Sequence, residues 1–386
     1  MAILAELAVE QEATPGTAET IVQADVLSRI RNGFTIEPDA EQIDPDEIQA
    51  TSSSRPLTIG RKLISIGASY QLRGPGDLTT NPTIADKWEA AMFDGLEAET
   101  IPIGAITSGP FLAGEIITGA TSAATGIILQ QTATSATSLP YAVLTGVFQA
   151  EVIDGGESGA QCTSSGPPVA GGYAFRPADS DFDGAAKYHC TAQLRRNGFQ
   201  WTARGALATL RFPFRNGQPC FVEQTFTGAL TSRGTQALFG VTTYPEESVA
   251  VPRFLNAGIV IGSYSPSGVL DFDLTINNTY EPNEDANDSS ADGVKWMDYD
   301  KDRPTITLDP DQVPTATYDY FTTFLDGTPF YLEWTLGSAA GAKWTFACRE
   351  AQFQQVSAGE RANRPRFPLT IALNGNDNNE LLIWQH

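Results

Sequence analysis

The residues best suited to chemistry are few. The 386-residue chain has two histidines, His189 and His386, and four cysteines, Cys162, Cys190, Cys220 and Cys348. A Ser-His-Asp triad would have to use His189, and no G-x-S-x-G nucleophile elbow is present. The cysteines are widely spaced with no C-x-x-C pair, which argues against zinc and against a disulfide framework and predicts buried free thiols. Carboxylate pairs of the glycosidase kind can be found in any acidic chain, but here the acids cluster in turn-rich stretches that read as solvated surface. The run Asp285-Ala286-Asn287-Asp288-Ser289-Ser290-Ala291-Asp292 offers oxygen ligands without EF-hand spacing or its bidentate Glu. There is no Walker loop and no Rossmann glycine fingerprint. The expectation is a protein that is not an enzyme, with no cofactor and no metal site.

Composition points the same way. Lys plus Arg is 24 and Asp plus Glu is 46, a net charge of -22, while charged residues are only 18% of the chain. The surface is therefore expected to be acidic and otherwise neutral-polar. It repels phosphate, which argues against duplex binding through a basic face and against an anionic membrane surface. The opening Met-Ala-Ile-Leu-Ala-Glu-Leu lacks a basic n-region and is not expected to be a signal peptide, and no apolar stretch approaches the length of a membrane span. The expected product is made in a cytoplasm and is soluble. At 41% hydrophobic, the chain has material for two or three cores.

The elements that must position any site are mostly strands. From Lys187 to Arg195, Tyr188, Cys190, Ala192 and Leu194 fall on one face and His189, Thr191 and Gln193 on the other, a half-buried strand. Asn197-Gly198 follows as a type I′ hairpin signal, and Phe199, Trp201 and Ala203 form the return strand. Phe330–Leu336 alternates in the same way, and Gly268–Ile276 and Phe221–Phe226 read as further strands. Two short helices are expected. One spans Asn81–Gly95, with Pro82 at its start and Gly95 as its left-handed end; the other covers Thr317–Gly327.

Self-comparison suggests a duplication. Both helices end alike, in Phe93-Asp94-Gly95 and Leu325-Asp326-Gly327. Each is preceded by an Arg-Pro strand start, Arg55-Pro56 and Arg303-Pro304, and each of these by an acidic loop, Asp39–Ser54 and Glu281–Gly293. Each is followed by a hairpin strand, at Trp201-Thr202-Ala203 and Trp344-Thr345-Phe346, and then by a Pro-led closing strand. The expected domains are 1–239 and 240–386, with an insert at 103–168 that lacks Lys and Arg. The insert carries its own repeat: Phe111-x-x-Gly114-Glu115-Ile116-Ile117 recurs as Phe148-x-x-Glu151-Val152-Ile153, and Ala120-Thr121-Ser122-Ala123 is echoed by Glu157-Ser158-Gly159-Ala160.

With its opening Glu12-Ala13-Thr14-Pro15-Gly16-Thr17, this order of elements resembles the major tail tube proteins of long, non-contractile-tailed bacteriophages (siphophages), in a form with a duplicated tube domain. The insert is similar to small β modules of phage structural proteins. The resemblance implies a mainly β chain: two tandem tail-tube β-sandwich or half-barrel domains, each with one short helix, plus the inserted β module. It implies a structural virion protein, made in the host bacterial cytoplasm and located in the tail. Such proteins polymerise into stacked rings around a lumen through which DNA is ejected without specific binding; a duplicated chain would form the ring as a homotrimer. Partners would be further copies of itself, a tape measure inside the tube, and terminator and tip proteins at its ends, with no membrane insertion. The family's long loop reaches the adjacent ring, which nominates Asp39, Glu41, Asp44, Asp46, Glu47, Glu281, Glu284, Asp285, Asp288 and Asp292 as inter-ring contacts. Arg61, Lys62, Arg195 and Arg196 are candidate counter-charges because they cluster. The competing expectation is a carbohydrate-binding or adhesin-type β-protein whose six tryptophans would be ligand platforms.

Overall fold

The structure is a computed structural model that describes residues 5–27, 30–31, 33–44, 57–178, 188–241, 243–244, 246–276, 278–287, 293–376 and 378–386. It is mainly β, with two short helices among the described residues. The first part of the chain forms β1 (Ala5–Gln11), β2 (Thr35–Ile43), β3 (Thr58–Gln71), α1 (Ala85–Glu89) and β4 (Phe93–Pro102). The insert contributes β5 (Ile116–Gly119), β6 (Thr125–Ile128), β7 (Ser138–Thr145), β8 (Val152–Gly155) and β9 (Gln161–Thr163). Next come β10 (Val169–Pro177), β11 (Cys190–Arg196), β12 (Phe199–Arg215) and β13 (Phe221–Thr235). The remainder forms β14 (Val260–Ile261), β15 (Asp271–Ile276), β16 (Thr279–Glu284), β17 (Val294–Asp300), β18 (Thr305–Leu308), α2 (Tyr320–Leu325), β19 (Phe330–Leu336), β20 (Trp344–Val356), β21 (Gly359–Arg361), β22 (Arg364–Arg366), β23 (Leu369–Ala372) and β24 (Leu382–Gln385).

Two runs of antiparallel strands make the layers of a sandwich. One runs β2-β3-β13-β12-β15-β18-β23-β20. The other runs β14-β19-β20-β24-β10-β4 and continues through β7 into the insert. The long strand β20 serves both layers. Alternation fills the space between them: Ile64, Ile66, Phe212, Phe214, Phe226, Phe272, Leu274, Ile306 and Ile371 meet Phe175, Trp334, Trp344, Phe346 and Ile383 in one cluster. Trp334 stacks on Phe346 at 4.8 Å, and Trp88 lies 5.5 Å from Trp344 and 5.4 Å from Phe212. Residues from 1–239 and from 240–386 share this core, and the β12–β15 and β10–β24 pairings cross between them.

The pairing order repeats. In the first part the sequence is β2-β3-β13-β12-β11-β1; in the second it is β15-β18-β23-β20-β19-β14. Trp201 on β12 faces Leu194 of β11, and Trp344 on β20 faces Leu336 of β19.

Several expectations need correction. The first helix is one turn and a half, not Asn81–Gly95: the left-handed residue is Met92 (φ 63), and Phe93 already starts β4. Gly95 is a strand residue there, where a Cβ would lie 2.5 Å from the Tyr173 hydroxyl. In α2, Gly327 (φ 61) does end the helix. The strand at Cys190 is buried on both faces, because Glu12, Met297 and Thr202 take the polar groups of Thr191, His189 and Gln193. The Arg55-Pro56 pair lies outside the described residues, and the stretch of β3 held between β2 and β13 is Leu63–Gly67, so the counterpart of Arg303-Pro304 lies near Arg61.

The insert closes on its own apolar cluster around Phe111, Ile117, Ile128, Tyr141, Phe148 and Ile153. Its internal repeat is an exchange. The buried Glu115 accepts from Ser158 N (3.0 Å) and Ser158 Oγ (2.9 Å), in the other repeat's turn. Glu151 in return accepts from Thr121 N (2.6 Å), Ser122 N (2.8 Å) and Ser122 Oγ (2.5 Å). Positive φ at Ala123 and Gly159 matches Ser122 to Ser158, one residue out of the echo read from the sequence. Burial alone would raise the Glu151 carboxyl, but the Ser122 hydroxyl and the amides of Gln149, Ser122 and Thr121 bring it down to about 2.

A carboxylate held below its ordinary value of 4.5 stabilises the fold fully above that pH and loses its contribution as pH falls toward 2. Acid unfolding of the insert, followed by the loss of protection at Ile117 and Ile153, should therefore be centred between these values. Glu151→Gln should flatten that dependence and lower the melting temperature at pH 7; an unchanged acid profile would count against the exchange.

Candidate functional site

The surface with the most organised chemistry is the outer face of the eight-strand layer. Cross-strand partners share a face, so the register gives continuous rows. One row reads Ser69, Glu223, Arg211, Thr275, Thr305, Ala372, Gln352. A second reads Pro213, Asp273, Thr307, Thr370, Gln355. A third reads Thr35, Gly67, Thr225, Thr209. Threonine suits this place because β-branching favours the strand while the hydroxyl tolerates water.

The central cation of this face is neutralised in place. Arg211 Nε donates to both oxygens of Asp273 at 3.0 Å, and its Nη1 to Glu223 at 3.1 Å. The hydrogen bond to Asp273 holds the guanidinium above its ordinary value. Arg215 pairs with Asp271 at 3.6 Å. No lysine lies in the three rows.

The two ends of this layer differ. Among the described residues β2 pairs only with β3, and Thr35 and Glu37–Ile43 are exposed. At the other end β20 pairs with β19 only as far as Ala351, so Phe353–Val356 have β23 on one side and no strand on the other among the described residues. The joint inside the chain has the same form: β15 occupies the place beside β12 beyond the end of β11.

The nominated acidic residues fall into separate places. Asp39 and Glu41 lie on β2, not in a loop, and Asp44 follows it. Glu281 and Glu284 lie on β16, and Asp285 begins the turn to β17. Asp46, Glu47, Asp288 and Asp292 lie outside the described residues. The structure brings the two segments together at Arg61, which is 2.6 Å from Glu284 and 3.9 Å from Glu41. Asp285 takes Lys295 at 2.6 Å, and that hydrogen bond holds its carboxyl below the ordinary value.

Three of the four candidate counter-charges are engaged within the chain: besides Arg61, Arg195 stacks on Phe239 at 3.4 Å and Arg196 on Phe34 at 4.8 Å, while Lys62 of β3 is exposed. The hairpin β16–β17 is also ordered internally. Arg204 donates to Val294 O (2.7 Å) and Lys295 O (2.9 Å), Tyr280 donates to Ala208 O, and Met297 is buried with Leu207.

One anchoring residue lay unread in the Glu12–Thr17 segment. Glu12 is buried and accepts from Gly16 N (2.6 Å), Gly205 N (2.7 Å) and Thr191 Oγ1 (2.9 Å). Burial raises its carboxyl even though these donors and Arg204 pull it down. Gly16 (φ 75) has no room for a side chain, since a Cβ would lie 1.9 Å from Lys295 O. The spacing of Glu, Gly and Thr was visible; the partners on β11, β12 and β17 were not.

Features that would serve other chemistry are closed off. His189 is buried and bonds Met297 O at 2.9 Å; His386 stacks on Trp384 and bonds Thr345. All four cysteines are buried and free. Trp88, Trp334, Trp344 and Trp384 are buried, and Trp201 and Trp296 half-buried, so no indole is presented as an open platform. Among the described residues no group of three or more His, Cys, Asp or Glu is placed to hold a metal ion, and no helix is long and apolar enough to cross a membrane. No family model and no curated protein matches the chain.

Arg211 and Glu223 are exposed and Asp273 is half-buried, so the net stabilisation of the trio is small. Arg211→Ala should change the unfolding free energy by no more than about 1 kcal/mol in denaturant titration. A loss several times larger would make the trio a structural fastening and not a neutralised surface charge.

Proposed function

We propose that this chain is a structural protein that polymerises into rings, stacked as a tube that conducts DNA: the tail tube of a long, non-contractile phage tail. The observation that carries this reading is the pair of unlike ends on a layer already joined once by the same kind of contact. β15 pairs with β12 as the two parts meet; β2 holds the place of β15 and β20 the place of β12 in the repeated order. Applying the same joint between molecules puts β2 of one copy beside the free stretch of β20 in the next. Such a contact is heterologous, so it closes into a ring or continues as a helix.

Magnitudes favour a homotrimer. Eight strands per chain give ~24 around a ring of three; at ~4.8 Å per strand the wall is ~115 Å around and ~37 Å across before strand tilt widens it. This leaves room for a nucleic-acid duplex past a lining of Thr, Ser and paired charges. The three rows traced above hold one cation, Arg211, and it is paired, so they do not collect phosphates, which suits passage without binding. With the eight-strand layer innermost, the other layer lies outside, and the insert, which extends that layer through β4 and β7, lies outside with it. The tandem tube-domain division at 239/240 belongs to this reading, as do the virion location and the tape-measure, terminator and tip partners. The sugar-binding alternative lacks a comparable feature, since the tryptophans are withdrawn from the surface.

Negative-stain images of concentrated protein should show rings or tubes. Alternate N–H groups of β2 point away from β3, so of the neighbouring variants Ile36→Pro and Glu37→Pro one removes an outward donor and keeps the hairpin. That variant should stay folded by circular dichroism and lose assembly at least tenfold. Normal tubes from both, or a wild-type chain that stays monomeric at every concentration, would refute the reading.

A further inference from the structure

Helix α2 presents Phe321 (39% exposed) and Leu325 (78% exposed) to solvent. The helix at the same place in the repeat does not. In α1 the last turn is closed by Met92 N donating to Glu89 O, as α2 is closed by Gly327 N donating to Phe324 O. Ala90, Ala91 and Met92 are nonetheless buried, at 1%, 0% and 6% exposure. Ala90 O accepts from Ala208 N of β12 at 2.6 Å, and the end of α1 borders a narrow gap with Ile276 and Asn278, the residues that finish β15 and follow it. The end of α1 is thus held by β12 and by Asn278, just after the strand that joins there, whose Nδ2 donates to Ala91 O at 3.4 Å. The end of α2 sits by the equivalent strand, with Gln352 of β20 donating to Gly327 O at 2.6 Å, but among the described residues no joining strand covers it.

The missing cover has a counterpart at the other end of the molecule. Ile36 and Pro38 of β2 are in register with the buried Ile66 and Ile64 of β3, so they and Ala40 lie on the inner side of the layer. Ala40 stands opposite Lys62 of β3, while Ile43 shares the other face of β2 with Glu41, where both approach the position a Cβ of Gly60 would take. In β15 the corresponding side, Phe272, Leu274 and Ile276, is buried; in β2 Pro38 and Ala40 are exposed.

We infer that the exposed face of α2, Phe321 and Leu325, packs against the inner side of β2, Pro38 and Ala40, of a second copy of this chain. The inference rests on the ring reading and adds to it an apolar contact beneath the strand pairing. The contact has a directional use. Strand pairing alone is promiscuous, because any edge offers the same donors and acceptors. Burying a leucine at one site beneath the joint selects the register, since a one-residue slip would carry Ala40 to the opposite face.

Cysteine pairing tests this in the full chain, and the four native cysteines are buried and give little background. The double variant Leu325→Cys with Ala40→Cys, oxidised mildly when assembled, should give a ladder of disulfide-linked chains on a denaturing gel, at least tenfold above either single variant. Glu37→Cys with Gln354→Cys reports the strand edges separately. An edge ladder without a helix ladder would overturn the α2 contact and leave the ring reading standing. The absence of both from a monomeric protein would overturn both. Leu325→Asp, at a site exposed in the single chain, should fold normally and weaken assembly about tenfold; unaltered assembly would also count against the contact.

Discussion

The β12–β15 pairing is the constraint on which the remaining architecture depends. It joins two similarly ordered sets of strands head to tail, within one layer and over one core. A head-to-tail joint between like units leaves one unsatisfied end of each kind. The exposure of β2, the bare flank of β20 and the uncovered face of α2 are all consequences of that geometry. None is costly in the single chain, because each exposes only a few apolar side chains in an otherwise acidic surface.

Long strands let one joint organise two layers. β12 pairs with β11 over its first residues and with β15 over its last, and β20 passes similarly from β24 to β23. The layers are bound together by backbone as well as by the aromatic cluster around Trp88, Trp334 and Trp344. One chain of buried polar groups runs through these elements: Trp88 Nε1 donates to Tyr70 Oη (3.0 Å), Tyr70 Oη to Gln224 (2.7 Å), and Gln224 Nε2 to Lys87 O (2.6 Å), whereas Trp334 Nε1 and Trp344 Nε1 have no partner among the described residues. Glu12 fastens the N-terminal segment to β11, β12 and, through Arg204, the hairpin β16–β17.

What could be read from the sequence was governed by range. Period-two alternation marked β19 and the β11–β12 hairpin, and Asn197-Gly198 (φ 46 and φ 88) turned where such a pair must turn. Of the local motifs compared, Trp201 and Trp344 hold like places in the pairing order, whereas Phe93-Asp94-Gly95 begins a strand and ends no helix. The first helix was overextended because Met92, not a glycine, takes the left-handed position, and no propensity anticipates that. Acidic segments were read as loops because acidic, Pro-containing runs resemble turns; β2 and β16 are strands because their partners, β3 and β17, supply the ladder. The exchange of Glu115 and Glu151 between repeats, and the neutralising of Arg211 by Asp273 and Glu223, join residues distant in sequence, so spacing carries no trace of them.

The central claim is that β2 of one copy lies beside β20 of the next, and amide hydrogen exchange reads that contact directly. In dilute protein the outward amides of Thr35–Asp39 should exchange as an exposed edge does, and in assembled protein they should be protected together with those of Phe353–Val356. Protection at both segments that rises with the assembled fraction is the predicted result. Assembled protein in which Thr35–Asp39 still exchange at the dilute rate would contradict the account, whatever shape the assembly takes.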